Sequence, residues 1–246
     1  MNFKKHLPNA ITMCNLFSGC IAVFYAVIGR LDYAALFVVL GIVFDFFDGF
    51  AARILKVQGE LGKQLDSLAD MITSGLVPGI VLFQLLLRAS SNHEVPSLFQ
   101  LASFEILPFL GLIVTLASAY RLANFNIDTR QATSFIGLPT PANTLLIVSL
   151  PLIIQYSDAS WLVTLLQNQF ALVVLVFLSA YFLNADIPLF ALKFKSFTWK
   201  DNSYKYVFLG FSIILLFAFQ YAAIPLVILS YMVFSMGYNY KNNVKL

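Results

Sequence analysis

The sequence has few charged residues, few cysteines and few histidines. Charged side chains make up 11% of the 246 residues, against about 25% in soluble globular domains. That scarcity excludes an ordinary soluble globule and a disordered chain. The two cysteines, Cys14 and Cys20, share one apolar stretch, which argues for buried thiols and against a disulfide scaffold. A net charge of +3 is too small to indicate a nucleic-acid-binding protein.

Long hydrophobic runs are what the sequence has in abundance. Apolar residues make up 60% of the chain, and the mean hydropathy is +0.83. Because a membrane-spanning helix needs about 20 mostly apolar residues, we expect an all-α, polytopic integral membrane helical bundle that forms a single domain over 1–246. About eight transmembrane helices are predicted, and six or seven remain alternatives because three of them are short. The predicted spans are 10–29, 33–54, 66–88, 104–124, 140–156, 161–183, 205–220 and 222–238.

The basic residues predict the orientation of these spans. Lysine and arginine accumulate in cytoplasmic loops of membrane proteins. With the N-terminus inside, the eight-span arrangement places all but two of the 15 basic residues on the inner side. Only Arg30 and Arg88 fall outside. We therefore expect both termini to be cytoplasmic and a polar site to open toward the cytoplasm.

Four of the twelve acidic residues are concentrated in 26 positions. Asp45 and Asp48 lie in the inner half of the second span, and Asp66 and Asp70 open the third. Residues three or four apart share a helix face, so the two carboxylates of each pair lie on the same face of their helix. Ionised residues inside a span are costly, and four clustered carboxylates repel one another. They need cations to balance them.

Four carboxylates without a nearby histidine or cysteine form a hard oxygen site, which suits Mg²⁺, Mn²⁺ or Ca²⁺. The number of carboxylates is enough for one or two divalent cations. Arg53, close to Asp45 on the same helix, adds a guanidinium that suits a phosphate or pyrophosphate. The residues alone leave a second interpretation open, because paired intramembrane carboxylates also form ion pathways in cation transporters.

Residues 45–70 read DFFDGFAARILKVQGELGKQLDSLAD, which resembles the signature of the CDP-alcohol phosphotransferase family, D-x2-D-G-x2-A-R-x8-G-x3-D-x3-D. All eight fixed positions are filled at the right spacing, by Asp45, Asp48, Gly49, Ala52, Arg53, Gly62, Asp66 and Asp70. Segments 7–23, 66–79, 119–126 and 135–143 resemble the serine-specific branch of the family. One departure is Asn124, where many relatives carry arginine.

The resemblance implies a six-helix family core plus additional helices, with C-terminal helices at about 161–238. It implies transfer of a phosphatidyl group from CDP-diacylglycerol to the hydroxyl of L-serine, with release of CMP. The four aspartates would ligate two divalent cations, Mg²⁺ or Mn²⁺, and Asp70 would also be the general base. Gly49, Ala52, Arg53 and Gly62 would shape the nucleotide pocket. Candidates for contacts with substrate, outside the signature, are Arg121, Asn124, Asn126 and Arg130.

Other acceptors and partners follow from the same resemblance. A sister enzyme would use glycerol 3-phosphate or inositol phosphate, and a phosphorylated acceptor should require more cationic residues at the site. Family members are commonly homodimers, so we expect a homodimer here. No cleavage site closes the first apolar run, which we interpret as a retained span. With the branch resemblance, this predicts a prokaryotic inner membrane, with the active site facing the cytoplasm.

Overall fold

Apolar runs in a membrane fold into helices because every backbone polar group must find its partner within the segment. The structure, a computed structural model, describes residues 6–90, 106–128, 135–190 and 198–241. Its α-helices are α1 (His6–Val27), α2 (Leu31–Leu55), α3 (Glu60–Asp70), α4 (Val77–Ser90), α5 (Ile113–Ile127), α6 (Thr140–Tyr156), α7 (Ser160–Gln167), α8 (Gln169–Asn184), α9 (Trp199–Phe219) and α10 (Ala223–Lys241). A π-helix, Met71–Leu76, joins α3 to α4, and two 3₁₀ helices, Leu107–Leu112 and Gln220–Ala222, precede α5 and α10.

The all-helical, membrane-type fold class is confirmed. The predicted number of eight spans is not confirmed. Within the described residues, five helical stretches are long and apolar enough to cross a membrane. A sixth results if α7 and α8, bent by 75° at Asn168, count as one span. The helix α6 is apolar but, at 17 residues, is too short to count among the five. One of the five stretches, Asn202–Asn239, covers most of α9 and α10, which sequence reasoning divided into two spans.

The hairpin of α1 and α2 forms one wall of the bundle. Gly29, with a φ of 80°, makes the tight reversal between the two helices, a conformation that glycine adopts without steric cost. The facing sides of the helices carry small residues that are fully or almost fully buried, among them Ala22, Ala26, Ala34 and Ala35. Small side chains let membrane helices approach closely, and this close packing fixes α1 against α2.

The connection from α2 to α3 determines where the acidic residues lie. α2 ends at Leu55 and is capped by Lys56, whose backbone is left-handed (φ 53°) and whose N–H donates to the carbonyl of Arg53 at 3.2 Å. α3 begins directly after Gly59. Only four residues separate the two helices, so the chain returns at once to the same end of the bundle. α1 packs against both α2 and α3.

The C-terminal helices α9 and α10 form an antiparallel hairpin. This hairpin packs beside a short two-stranded β-sheet. Tyr204 at the start of α9 stacks on Tyr238 near the end of α10, with ring centroids 3.9 Å apart. The strands β1 (Phe135–Ile136) and β2 (Pro188–Leu189) pair antiparallel, Phe135 opposite Leu189. The Tyr231 hydroxyl of α10 donates to the carbonyl of Phe190 at 2.7 Å, which anchors the hairpin beside β2.

Candidate active site

Three carboxylates converge where α2 meets α3. One carboxylate oxygen each from Asp45, Asp48 and Asp66 lies within 4.8 Å of the other two. Asp48 is buried, with 6% of its surface exposed, and Asp45 and Asp66 are half-buried. Oxygen donors at this spacing suit a hard divalent cation, so the three aspartates could hold a metal. The structure therefore brings together three of the four acidic residues singled out from the sequence.

Asp70 lies beside this group, one helical turn after Asp66, and is held by a residue of α1. The Asn15 amide nitrogen donates to Asp70 Oδ1 at 3.2 Å. The Thr73 hydroxyl in turn donates to Asn15 Oδ1 at 2.8 Å. Because an amide has its donor and its acceptor on opposite arms, the bond from Thr73 directs the Asn15 NH₂ group toward Asp70.

A second residue of α1, Thr12, supports Asp48. The Thr12 hydroxyl donates to Asp48 Oδ2 at 2.5 Å and lies 3.1 Å from the carbonyl oxygen of Pro8. Thr12 and Asn15 are three positions apart and both are buried, so one face of α1 contacts the acidic cluster. Sequence reasoning missed both residues. The available signal was the spacing of Asn9, Thr12 and Asn15, three polar residues on one face of an apolar helix.

Two glycines allow the helices to come this close. A Cβ at Gly41 of α2 would lie 2.7 Å from Thr73 Cγ2 and 2.9 Å from Asn15 Oδ1. A Cβ at Gly19 of α1 would overlap the Thr73 hydroxyl. Neither distance is compatible with a side chain unless Thr73 moves, so glycine at both positions is what places Thr73 within reach of Asn15.

The π-helix follows directly after Asp70. Such segments are rare and occur frequently at functional sites, and sequence analysis did not predict this one. Threonine hydroxyls from neighbouring helices bind its carbonyl groups, Thr115 to Gly75 at 3.0 Å and Thr144 to Ser74 at 2.8 Å. These bonds tie the wide turn to α5 and α6 and hold the backbone that carries Thr73.

A cavity of about 410 Å³ opens beside the carboxylates. Asp48 and Asp66 lie in its wall, and Ala52 and Gly62, two of the four residues predicted to shape a nucleotide pocket, line it as well. Gly49 lies on α2 with no heavy atom within 4 Å of the place a Cβ would occupy. Arg53 is exposed. The cavity is thus next to the candidate metal ligands and is open to solvent.

The four residues predicted to contact substrate outside the signature have different surroundings. Arg121 is buried and its Nη1 donates to the carbonyls of Ile136 and Leu183, at 2.6 and 3.0 Å. Asn126 Nδ2 donates to the Ser67 hydroxyl at 2.8 Å. Asn124 is half-buried on α5. Arg130 lies outside the described residues.

Arg121 therefore has a structural role that sequence reasoning did not foresee. Its guanidinium joins α5 to β1 and to the end of α8, because one nitrogen binds a carbonyl from each. Asn126 likewise links α5 to α3, since its backbone carbonyl also accepts a hydrogen bond from Lys63 Nζ at 2.5 Å. These contacts hold α5 next to the acidic cluster, and contact of Arg121 and Asn126 with substrate stays a prediction.

Comparison with known proteins identifies the family. The model of the CDP-alcohol phosphatidyltransferase family matches residues 5–238, nearly the whole chain and all of the acidic cluster. This chain belongs to the CDP-alcohol phosphatidyltransferase family. Its long apolar helices make it an integral membrane member.

Three relatives of this transferase show the level of similarity. It is 31% identical over 141 residues to the CDP-diacylglycerol–serine O-phosphatidyltransferase of Bacillus subtilis, covering 56% of this chain and 70% of that protein. It is 30% identical over 168 residues to the archaetidylserine synthase of Methanothermobacter thermautotrophicus, covering 65% and 66%. It is 32% identical over 143 residues to the CDP-diacylglycerol–serine O-phosphatidyltransferase of Helicobacter pylori, covering 57% and 55%.

The convergence of the three carboxylates predicts how the transferase binds metal. Asp48→Asn removes one charged ligand, so we expect the dissociation constant for Mn²⁺ to rise by at least about tenfold, or ~1.4 kcal/mol. Asp32→Asn is the matched control, because Asp32 lies on the same helix at its other end. Titration calorimetry in detergent measures both. Equal affinities for the two variants would contradict a metal site at the cluster.

Proposed function

We propose that the protein transfers the phosphatidyl group of CDP-diacylglycerol to the hydroxyl of L-serine, giving phosphatidylserine and CMP. The observation that carries the proposal is the group of three carboxylates beside a 410 Å³ cavity in a chain of this family. The choice of serine is supported by the relatives, whose names all specify a serine lipid as product or serine as acceptor.

The proposed reaction exchanges one bond to phosphorus for another. The serine oxygen attacks the phosphorus that carries diacylglycerol, the bond from that phosphorus to the CMP oxygen breaks, and CMP leaves. The hydroxyl proton passes to Asp70, which would act as general base. Asn15 donates to Asp70 Oδ1, so Oδ2 would be the oxygen that takes the proton. A base must lie within about 2.6–3.2 Å of the hydroxyl it deprotonates.

The donor chemistry of the cluster fits divalent cations, and we propose that two bind there. Their ligands would be Asp45, Asp48, Asp66 and Asp70. Asp70 follows Asp66 by one helical turn. Such cations offset negative charge on a transferred phosphoryl group and on its leaving oxygen. Thr12 and Asn15 would keep two of the ligands oriented through the hydrogen bonds they donate, as outer-shell partners do at metal sites.

We place the cytidine nucleotide in the cavity lined by Ala52 and Gly62. Small residues there leave room for a ligand to approach the helix backbone. Gly49 has free space above its Cα, and the exposed Arg53 guanidinium lies one turn further along α2. Together these residues offer a nucleotide an open face and a cation for its phosphates.

The geometry also bears on the choice between serine and a phosphorylated acceptor. Glycerol 3-phosphate or inositol phosphate would need cationic side chains facing the site. Arg121 Nη1 binds two carbonyls, and Lys63, which lines the cavity, binds the backbone carbonyl of Asn126. We assign the third cation, Arg53, to the nucleotide phosphates, so few cations are left for a phosphorylated acceptor. This favours a small zwitterionic acceptor such as serine. Asn124 and, outside the described residues, Arg130 remain candidates for contacts with it.

The surface around the aspartates is apolar, which would allow a lipid substrate to approach them from the bilayer. Phe46, Phe47 and Phe50 lie on the same turns of α2 as the aspartates and are 47–63% exposed. Acyl chains can therefore remain in the bilayer while the pyrophosphate reaches the carboxylates. We propose that this end of the bundle faces the cytoplasm of a prokaryotic cell, because Arg53, Lys56 and Lys63 are at this end, and that the protein works as a homodimer.

The acceptor is tested with purified protein in detergent, CDP-diacylglycerol and Mn²⁺ or Mg²⁺. L-serine, glycerol 3-phosphate and inositol phosphate are supplied separately, and CMP release and the lipid product are measured. We expect chelator-sensitive formation of phosphatidylserine with serine alone. Metal-dependent CMP release with one of the other acceptors would contradict the assignment of serine and leave the family unchanged.

The chain of hydrogen bonds from Thr73 through Asn15 to Asp70 gives a second prediction. Thr73→Val keeps the shape but removes the hydroxyl, so the Asn15 amide loses its orientation and kcat should fall about 10- to 100-fold. Thr73→Ser retains the hydroxyl and should stay within about twofold of the unchanged protein. Asp70→Asn should abolish transfer.

The melting temperature and Mn²⁺ affinity of the Thr73 variants distinguish positioning from folding. The melting temperature should match that of the unchanged protein, whereas the Mn²⁺ affinity of Thr73→Val should fall together with kcat, because Asn15 orients the proposed ligand Asp70. A kcat for Thr73→Val equal to that of Thr73→Ser would show that the hydroxyl has no positioning role.

A further inference from the structure

A second polar cavity lies at the end of the bundle opposite the aspartates. It has a volume of about 520 Å³ and includes the turn between α1 and α2 together with the ends of α4, α6 and α7. Asp32, in its wall, precedes Asp48 by 16 residues of one helix, which corresponds to about 24 Å at 1.5 Å per residue. The cavity is therefore separate from the candidate active site.

Two guanidinium groups, from Arg30 and Arg88, line this cavity. They are the same two arginines that sequence analysis left on the outer side while every other basic residue fell on the inner side. Arginine is disfavoured there by the usual charge distribution of membrane proteins. Its occurrence twice, at positions 58 residues apart in the chain that meet in one cavity, calls for an explanation other than membrane orientation.

The protein supplies only part of the hydrogen bonds that the Arg88 guanidinium can donate. Its Nη2 donates to the carbonyl of Gly29 at 2.6 Å, which closes the end of α1. Its Nε is buried and has no hydrogen-bond partner among the described residues. A buried donor without a partner costs about 1–3 kcal/mol. Capping of α1 thus accounts for Nη2 and leaves Nε without a partner among the described residues.

The rest of the cavity wall suits an anion. Arg30 pairs with Asp32 at 3.2 Å and lies over the Tyr33 ring at 4.3 Å, and its side chain is 54% exposed. Asp32 balances only one of the two guanidinium charges. Gln155 and Gln167 add amide groups to the wall. The combination of two guanidiniums and two amides matches the several oxygens of a phosphate group, which arginine binds with paired N–H bonds.

We propose that this cavity binds a phosphate group, carried by a membrane phospholipid or free in solution, at the face of the protein opposite the catalytic aspartates. Arg88 supplies the main contact and Arg30 the second. The site lies at the ends of membrane helices, at the depth where lipid headgroups are found. Arg88 lies on α4, and Arg30 lies in the α1–α2 turn next to Gly29, which Arg88 already contacts. A phosphate bound by both arginines would therefore add a second link between this turn and α4.

The proposal is tested by the melting temperature of the full chain in detergent with EDTA, so that the aspartates carry no divalent cation. The probes are dioleoyl phosphatidic acid, dioleoylglycerol, which has the same acyl chains without phosphate, and inorganic phosphate. We expect phosphatidic acid to raise the melting temperature and dioleoylglycerol to leave it unchanged. Arg88→Gln should increase the phosphatidic acid concentration for half the effect by about tenfold.

Two further variants control this result. Lys56→Asn removes one positive charge at the other end of α2, in a left-handed position that asparagine tolerates, and should respond like the unchanged protein. Arg30→Gln preserves the bond between Arg88 and Gly29, so it tests the cavity even if Arg88→Gln does not fold. Its response should also be weakened.

The outcomes separate the two sources of phosphate. An equal effect of inorganic phosphate would identify a free anion as the ligand, whereas an effect of phosphatidic acid alone would identify a lipid headgroup. An equal response to dioleoylglycerol, or an unweakened response in both arginine variants, would overturn the proposal.

Discussion

Mutual repulsion of carboxylates inside an apolar bundle is the constraint on which the site depends. Two unit charges 4.8 Å apart repel by about 3–4 kcal/mol at an effective dielectric constant of 20, and the oxygens of Asp45, Asp48 and Asp66 lie within that distance of one another. The bundle can hold them ionised only where cations and hydrogen-bond donors offset the charge. Hydrogen bonds from α1 supply part of this compensation, and the donor set suits divalent cations for the rest.

The same constraint explains the position of α1. Its polar face carries Thr12 and Asn15, which donate to Asp48 and Asp70, and its glycine at position 19 lets Thr73 approach. The residue that orients Asn15 comes from the π-helix just after Asp70, and hydroxyl groups of α5 and α6 hold that segment. Elements from both halves of the protein thus converge on the acidic cluster, which is why substitutions remote from the carboxylates can alter it.

Much of this arrangement could be predicted from the sequence, and the reasons for the exceptions are physical. The spacing of Asp45, Asp48, Asp66 and Asp70 predicted a common metal site because i, i+3 and i, i+4 periodicity and a short connection leave few alternatives, and three of the four carboxylates lie within 4.8 Å of one another. Thr12, Asn15 and Thr73 were missed because an isolated polar residue in an apolar helix is compatible with many partners. The π-helix has no sequence signature. Arg121 stays a candidate for substrate contact, and the bonds of its Nη1 to two backbone carbonyls could not be foreseen because they depend on tertiary contacts with segments further along the chain.

In the proposed arrangement, the aspartates hold divalent cations next to a cytidine nucleotide in the adjoining cavity. The most direct test is an experimental structure of the protein with Mn²⁺ and CDP, in which anomalous scattering locates the metal. We expect Mn²⁺ between Asp45, Asp48 and Asp66, a second ion reaching Asp70, and the nucleotide against Ala52 and Gly62. Manganese bound elsewhere, or a nucleotide outside this cavity, would contradict the proposed arrangement.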